Sequence, residues 1–138
     1  PLWRHLINYR CGTGHSVSFV GNVHEGPHAL NGRNTVVFQP GMIVTDEPGV
    51  YEGGQVGIRI ENELMCVHKA DNQYGTFLGF EPIMFVPIAT SPVVPGVLTR
   101  DELDWLNAYH REVFTKLAPR LTEEERDWLA KKCAAIGA

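Results

Sequence analysis

Apolar positions fall into short runs over the first two thirds of the chain and recur at helical spacing over the last third. Thr35-Val36-Val37-Phe38, Met42-Ile43-Val44-Thr45, Gly57 to His68 and Thr76 to Ala89 are rich in β-branched and aromatic residues and read as strands. Their separators, Gln39-Pro40-Gly41, Glu52-Gly53-Gly54 and Asp71-Asn72-Gln73, are turn chemistry. Near Pro92-Val93-Val94-Pro95-Gly96 the pattern changes. Thr99-Arg100-Asp101-Glu102 forms a capping box ahead of Leu103, Leu106, Val113, Phe114 and Leu117, with His110 on the same face. Thr122-Glu123-Glu124-Glu125 opens a second, shorter helix carrying Trp128, Leu129 and Cys133. Trp105 and Trp128 read as core or interface residues. The expectation is an α+β chain, an antiparallel sheet with two C-terminal helices. Residues 1–91 form the sheet-rich segment and 92–138 the helical tail.

Composition narrows the class. A hydrophobic content of 43% and a charged content of 20% over 138 residues fit a globular domain able to bury a core. A net charge of -4 supplies no basic patch for nucleic acid, and no apolar run has the length of a membrane span. Pro1-Leu2-Trp3-Arg4-His5 is not followed by the apolar segment of a secretory signal. The lack of an initiator methionine favours a processed chain or an excised part of a longer one. Cys11, Cys66 and Cys133 are odd in number and scattered, which suits reduced thiols and a cytoplasmic setting.

The chemistry lies in the glycine- and strand-rich part. In Gly57-Ile58-Arg59-Ile60-Glu61-Asn62 a period of two sets Ile58 and Ile60 against Arg59 and Glu61. A carboxylate turned inward there needs a metal or a cationic neighbour; turned outward, it is a solvated strand face. Glu47 ends a strand before Pro48-Gly49, placing it at a sheet's mouth or in a turn. His15 follows the tight-turning Gly12-Thr13-Gly14, a setting in which a lone histidine is commonly structural. His24, in Asn22-Val23-His24-Glu25-Gly26-Pro27, is a candidate proton donor or oxyanion partner, since imidazole titrates near neutrality. His5, His28, His68 and His110 have no matching context. One imidazole and two carboxylates suit a hard divalent ion such as manganese.

In this order, Gly12-Thr13-Gly14-His15, Asn22 to Pro27, Asp46-Glu47-Pro48-Gly49-Val50-Tyr51 and Gly57 to Asn62 resemble the C-terminal part of the catalytic domain of Xaa-Pro aminopeptidases. These are aminopeptidase P-like members of the pita-bread metallopeptidases. Phe80-Glu81-Pro82-Ile83 and the helix holding Asp104 to His110 resemble the family's tail, so the likeness spans nearly the whole chain. It implies a dinuclear hydrolase, usually of manganese (zinc or cobalt being the other candidates), acting on peptides with proline second. By resemblance His15 and Glu47 ligate one ion and Glu61 bridges the two. Glu47 also handles the proton of the attacking water, His24 stabilises the oxyanion or substrate amide, and Arg59 orients carboxylates.

The family's other two ligands are aspartates upstream of this stretch. The chain alone is therefore expected to be inactive, to hold at most one ion through His15, Glu47 and Glu61, and to expose apolar surface that an absent half covers. The family often forms homo-oligomers. Ser16 and Ser18 stand where the family pattern has glycine, and Cys11 where some relatives carry histidine. The alternatives are a prolidase restricted to Xaa-Pro dipeptides and a non-catalytic pita-bread module that binds peptides.

Overall fold

The structure is a computed structural model that describes residues 2–94 and 96–137. Pro95, one of the proline pair at which the sequence changes character, lies outside the described residues, as do Pro1 and Ala138. Contacts divide the chain into two compact units, Pro1–Met84 and Phe85–Ala138.

Among its described residues the first unit holds seven strands: β1 (Gly14–Ser16), β2 (Glu25–Leu30), β3 (Ile43–Asp46), β4 (Gly49–Glu52), β5 (Val56–Arg59), β6 (Asn62–Asn72) and β7 (Gly75–Pro82). Five of them form one sheet in the order β2-β1-β3-β6-β7, and β4 with β5 form a separate hairpin. Every pairing is antiparallel. Val44 and Cys66 are fully buried, Val44 near the middle of the sheet on β3 and Cys66 on β6, next to it.

Three strand expectations are corrected. Thr35–Phe38 is not a strand, because Asn34 has captured its backbone: Asn34 Nδ2 donates to the Val36 carbonyl at 2.9 Å and Oδ1 accepts the Val36 N–H at 3.2 Å. With both polar groups of Val36 satisfied locally, little is left for a ladder. Phe38 still packs, edge-on to His28 and to Phe80. Gly57 to His68 is two strands, not one. Arg59 is opposite Gly49 in the hairpin and Asn62 is opposite Asp46 in the main sheet, so the chain must leave one ladder for the other at Ile60-Glu61. The run from Thr76 to Ala89 is a strand only as far as Pro82; one further cross-strand bond, from the Ile83 N–H to the Glu63 carbonyl at 2.9 Å, follows it.

In the second unit, α1 (Arg100–Leu117) and α2 (Glu123–Lys132) each begin with the expected reciprocal cap. Thr99 and Glu102 satisfy one another's backbone N–H groups, as do Thr122 and Glu125. Tyr109, Val113, Leu129 and Cys133 form the core, covered by Phe85, Ile88, Phe114, Leu117 and Leu121. Phe85 and Ile88 thus belong with the helices, ahead of the proline-rich change in the sequence. Trp105 and Trp128 are not core residues; each is 57% exposed, Trp105 stacking flat on Tyr109. No helix among the described residues is long and apolar enough to cross a membrane.

Candidate metal centre

His15 sits at the middle of the short strand β1, and its place depends on the residue before it. A Cβ on Gly14 would fall inside the Thr45 carbonyl and within 3.2 Å of Leu30 Cβ, so only glycine lets β1 lie this close to β3. The Glu47 N–H then reaches the Thr13 carbonyl at 2.6 Å, fixing the stretch after β3 against the stretch before β1. This brings His15 Nε2 to 2.8 Å from Glu47 Oε1.

The other ring nitrogen decides what that short contact means. His15 Nδ1 lies 3.0 Å from the Ser16 carbonyl, which can only accept, so Nδ1 carries the proton. In the neutral ring Nε2 then presents a lone pair to a carboxylate lone pair. Two acceptors at that separation need a positive charge between them or a proton on Nε2. Two ligands about 2.1 Å from one ion at near-right angles stand about 3 Å apart, which is the spacing seen. An imidazole held by a backbone carbonyl on its far nitrogen is also the usual orientation of a metal ligand.

Glu47 is almost wholly buried and every oxygen is engaged. Oε1 accepts from the Thr45 hydroxyl at 3.0 Å, and Oε2 accepts from Arg59 Nη1 at 2.6 Å. Arg59 is the last residue of β5, and the hairpin register opposite Gly49 delivers it to this point. Gly49 and Gly57 keep room for the Tyr51 ring, which a Cβ at either position would strike at 2.8 or 2.9 Å. The Arg59 guanidinium lies 5.6 Å from that ring's centre. Burial works to lower the Arg59 pKa, but a hydrogen bond with the Cys11 side chain and the charges of Tyr51, Glu47 and Cys11 hold it above its ordinary value. The Cys11 thiol also donates to the Gly49 carbonyl at 3.3 Å.

His24 arrives by an irregularity in pairing. The β1–β2 register jumps between His15, opposite Ala29, and Ser16, opposite Glu25. The Ser16 hydroxyl donates to the Glu25 carbonyl at the start of β2. His24, one residue earlier, lies with its ring centre 4.1 Å from that of His15. Nitrogen and oxygen atoms of His15, His24 and Glu47 all lie within 4.8 Å of one another, a group able to hold a cation.

The structure therefore gathers four of the five residues singled out in the sequence: His15, His24, Glu47 and Arg59. Glu61 is exposed at the break between β5 and β6 and is not one of the three grouped residues. Asp46 is half-buried, burial pushing its carboxyl pKa up, and it too stands outside the group. Thr45 was not singled out, although it alternates with Glu47 on an extended strand and so shares its face.

The metallopeptidase family M24 matches residues 1–68, and the C-terminal region of peptidase M24 matches residues 76–136. Aminopeptidase P1 of Lotus japonicus is 41% identical, over 99% of this chain and 22% of its own length. Aminopeptidase P2 of Arabidopsis thaliana is 47% identical, over 93% of this chain and 19% of its own. The chain thus spans about a fifth of the length of these relatives. The solved structure of X-prolyl aminopeptidase from Caenorhabditis elegans, described as a cytosolic enzyme with a di-nuclear active site, superposes with a TM-score of 0.86. It is 37% identical and covers 98% of this chain and 23% of that one. The fold is accordingly α+β, the corresponding part of a pita-bread fold. On this agreement of both sequence regions, relatives and backbone, the chain belongs to metallopeptidase family M24.

Proposed function

We propose that this chain carries the histidine-and-carboxylate side of a dinuclear centre in an aminopeptidase that cleaves after an N-terminal residue followed by proline. One observation carries the reading: His15 Nε2 faces Glu47 Oε1 at 2.8 Å while Nδ1 is committed to a backbone carbonyl. His15 and Glu47 would hold one ion, and Glu61 would bridge to a second whose remaining ligands are aspartates of another part of the protein. Manganese fits the oxygen-rich set best, with zinc or cobalt as alternatives. When bound, such ions lower the pKa of water and polarise a carbonyl oxygen.

The chain's own residues do the rest. Arg59 and Thr45 hold the Glu47 carboxylate so that it can take up the proton of the attacking water without turning away. His24, exposed beside His15, is open to a substrate and can donate to a developing oxyanion or the substrate amide. A bond to proline is a tertiary amide with no N–H, so selectivity must come from ring shape. The names of the relatives support this substrate class, and the description of the nematode protein supports a cytosolic setting and a paired-metal site. Peptides are the partners, with self-association of the complete protein, and no nucleic acid or membrane.

The test is to strip the full protein with chelator, restore manganese, and follow release of the first residue from an Xaa-Pro peptide. Metal-dependent cleavage, lost in His15→Ala and Glu47→Gln and reduced in Glu61→Gln, is expected. Equal cleavage of peptides lacking proline, or turnover that persists in chelator, would count against it. Hydrolysis confined to dipeptides would identify a prolidase, and peptide binding indifferent to chelator a non-catalytic module. The 138-residue chain alone is expected to bind one ion at most and to show no turnover.

A further inference from the structure

We propose that the Thr45 hydroxyl is a positioning group that sets the spacing of the two ligands, His15 and Glu47, by bonding both at once; the inference rests on the metal-binding reading above. Thr45 is buried to 2% exposure, and its Oγ1 accepts the His15 N–H at 3.0 Å. The same oxygen stands 3.0 Å from Glu47 Oε1. A hydroxyl has one proton, and a carboxylate can only accept, so that proton belongs to Glu47. The competing acceptor, the His15 carbonyl at 3.5 Å, is too far to take it.

The backbone link between these stretches, from the Glu47 N–H to the Thr13 carbonyl at 2.6 Å, fixes the main chain and orients neither ligand side chain. Between it and the one paired position of β1 with β3, Ser16 opposite Val44, the step from His15 to Thr45 is made by the Thr45 side chain, which also reaches the Glu47 carboxylate. Its bond enters Oε1, the oxygen that faces the imidazole, while Arg59 holds Oε2. With a separate donor on each oxygen the carboxylate plane cannot rotate, and the free lone pair of Oε1 stays aimed at the place between it and His15 Nε2. An ordinary buried threonine needs only one partner; this one connects the backbone of one ligand to the side chain of the other.

Thr45→Val keeps the shape and removes the hydroxyl, whereas Thr45→Ser keeps the hydroxyl and removes a methyl. Manganese binding by calorimetry, and the visible absorption of the cobalt-loaded site, are measured on the full chain for the parent, both variants and His15→Ala. Thr45→Val is expected to bind manganese about 10–100-fold more weakly, the usual effect of losing a group that orients a metal ligand, and to shift the cobalt bands. Thr45→Ser is expected to restore both. Parent-like binding and spectrum in Thr45→Val, or a serine variant as weak as the valine one, would overturn the proposal. If the valine chain does not fold, Thr45→Ala takes its place in the same comparison. A parent that binds no better than His15→Ala sinks the metal reading itself, which is a distinct result.

Discussion

Arg59 Nη1 donates to Glu47 Oε2 across 2.6 Å, joining the end of the β4–β5 hairpin to a carboxylate one residue past the end of β3, a strand of the main sheet. The hairpin shares no strand with that sheet, so this ion pair is where its position bears on the site.

Replacing the guanidinium is therefore expected to loosen Glu47. Arg59→Ala should lower metal affinity and Xaa-Pro cleavage by about 10–100-fold. Arg59→Lys should recover little, because a lysine cannot both stack on Tyr51 and donate in the same plane. Titration with manganese alongside peptide assays measures both effects, and full recovery by lysine would show that charge alone suffices.

Gly14→Ala tests the close approach of β1 to β3. The added methyl must displace the Thr45 carbonyl or open the strand pair, which is backbone movement and not a side-chain adjustment. A loss of about 1–3 kcal/mol in denaturant melts is expected, together with weakened metal binding. An alanine variant as stable as the parent would mean the strands separate easily.

Metal addition is expected to stabilise the first unit by mass action. At an ion concentration 100 times the dissociation constant the gain is about 2.7 kcal/mol, provided the unfolded chain does not bind. Thermal melts with and without manganese should differ in the parent and coincide in His15→Ala, since Nε2 supplies one of the grouped ligand atoms.

His110 supplies a pH signature in the second unit. It is fully buried, its Nε2 accepts the Ile88 N–H at 3.1 Å, and burial lowers its pKa below the ordinary value of 6.5. The unfolded chain therefore binds this proton more readily than the folded one. Its contribution to stability is fully present above pH 6.5 and falls as pH drops toward the lowered folded value. His110→Gln, which keeps an acceptor and removes the titration, should flatten melting temperature against pH in that range. An unchanged slope would assign the acid sensitivity to other groups.

Local chemistry was legible where the chain needs only its neighbours in sequence. Thr99 with Glu102 and Thr122 with Glu125 cap their helices as the spacing implied, because a capping box is closed within four residues. Leu103, Leu106 and Val113 are buried for the same reason, a fixed helical period meeting one apolar face. Strand length was not legible in the same way. Asn34 decided where the backbone bonds of Val36 go, and the run from Gly57 to His68 was split by partners far away in sequence.

The order of motifs pointed to the family and singled out five candidate residues, of which the fold brings His15, His24, Glu47 and Arg59 together, since residue type and glycine placement are written in the chain itself. Tertiary structure alone decided which nitrogen of His15 faces Glu47, that Thr45 spans His15 and Glu47, and that Glu61 stands exposed outside the grouped atoms. The reason is physical: a hydrogen bond depends on angles and distances between strands brought together only by folding, and no residue pattern encodes which acceptor a single proton will choose.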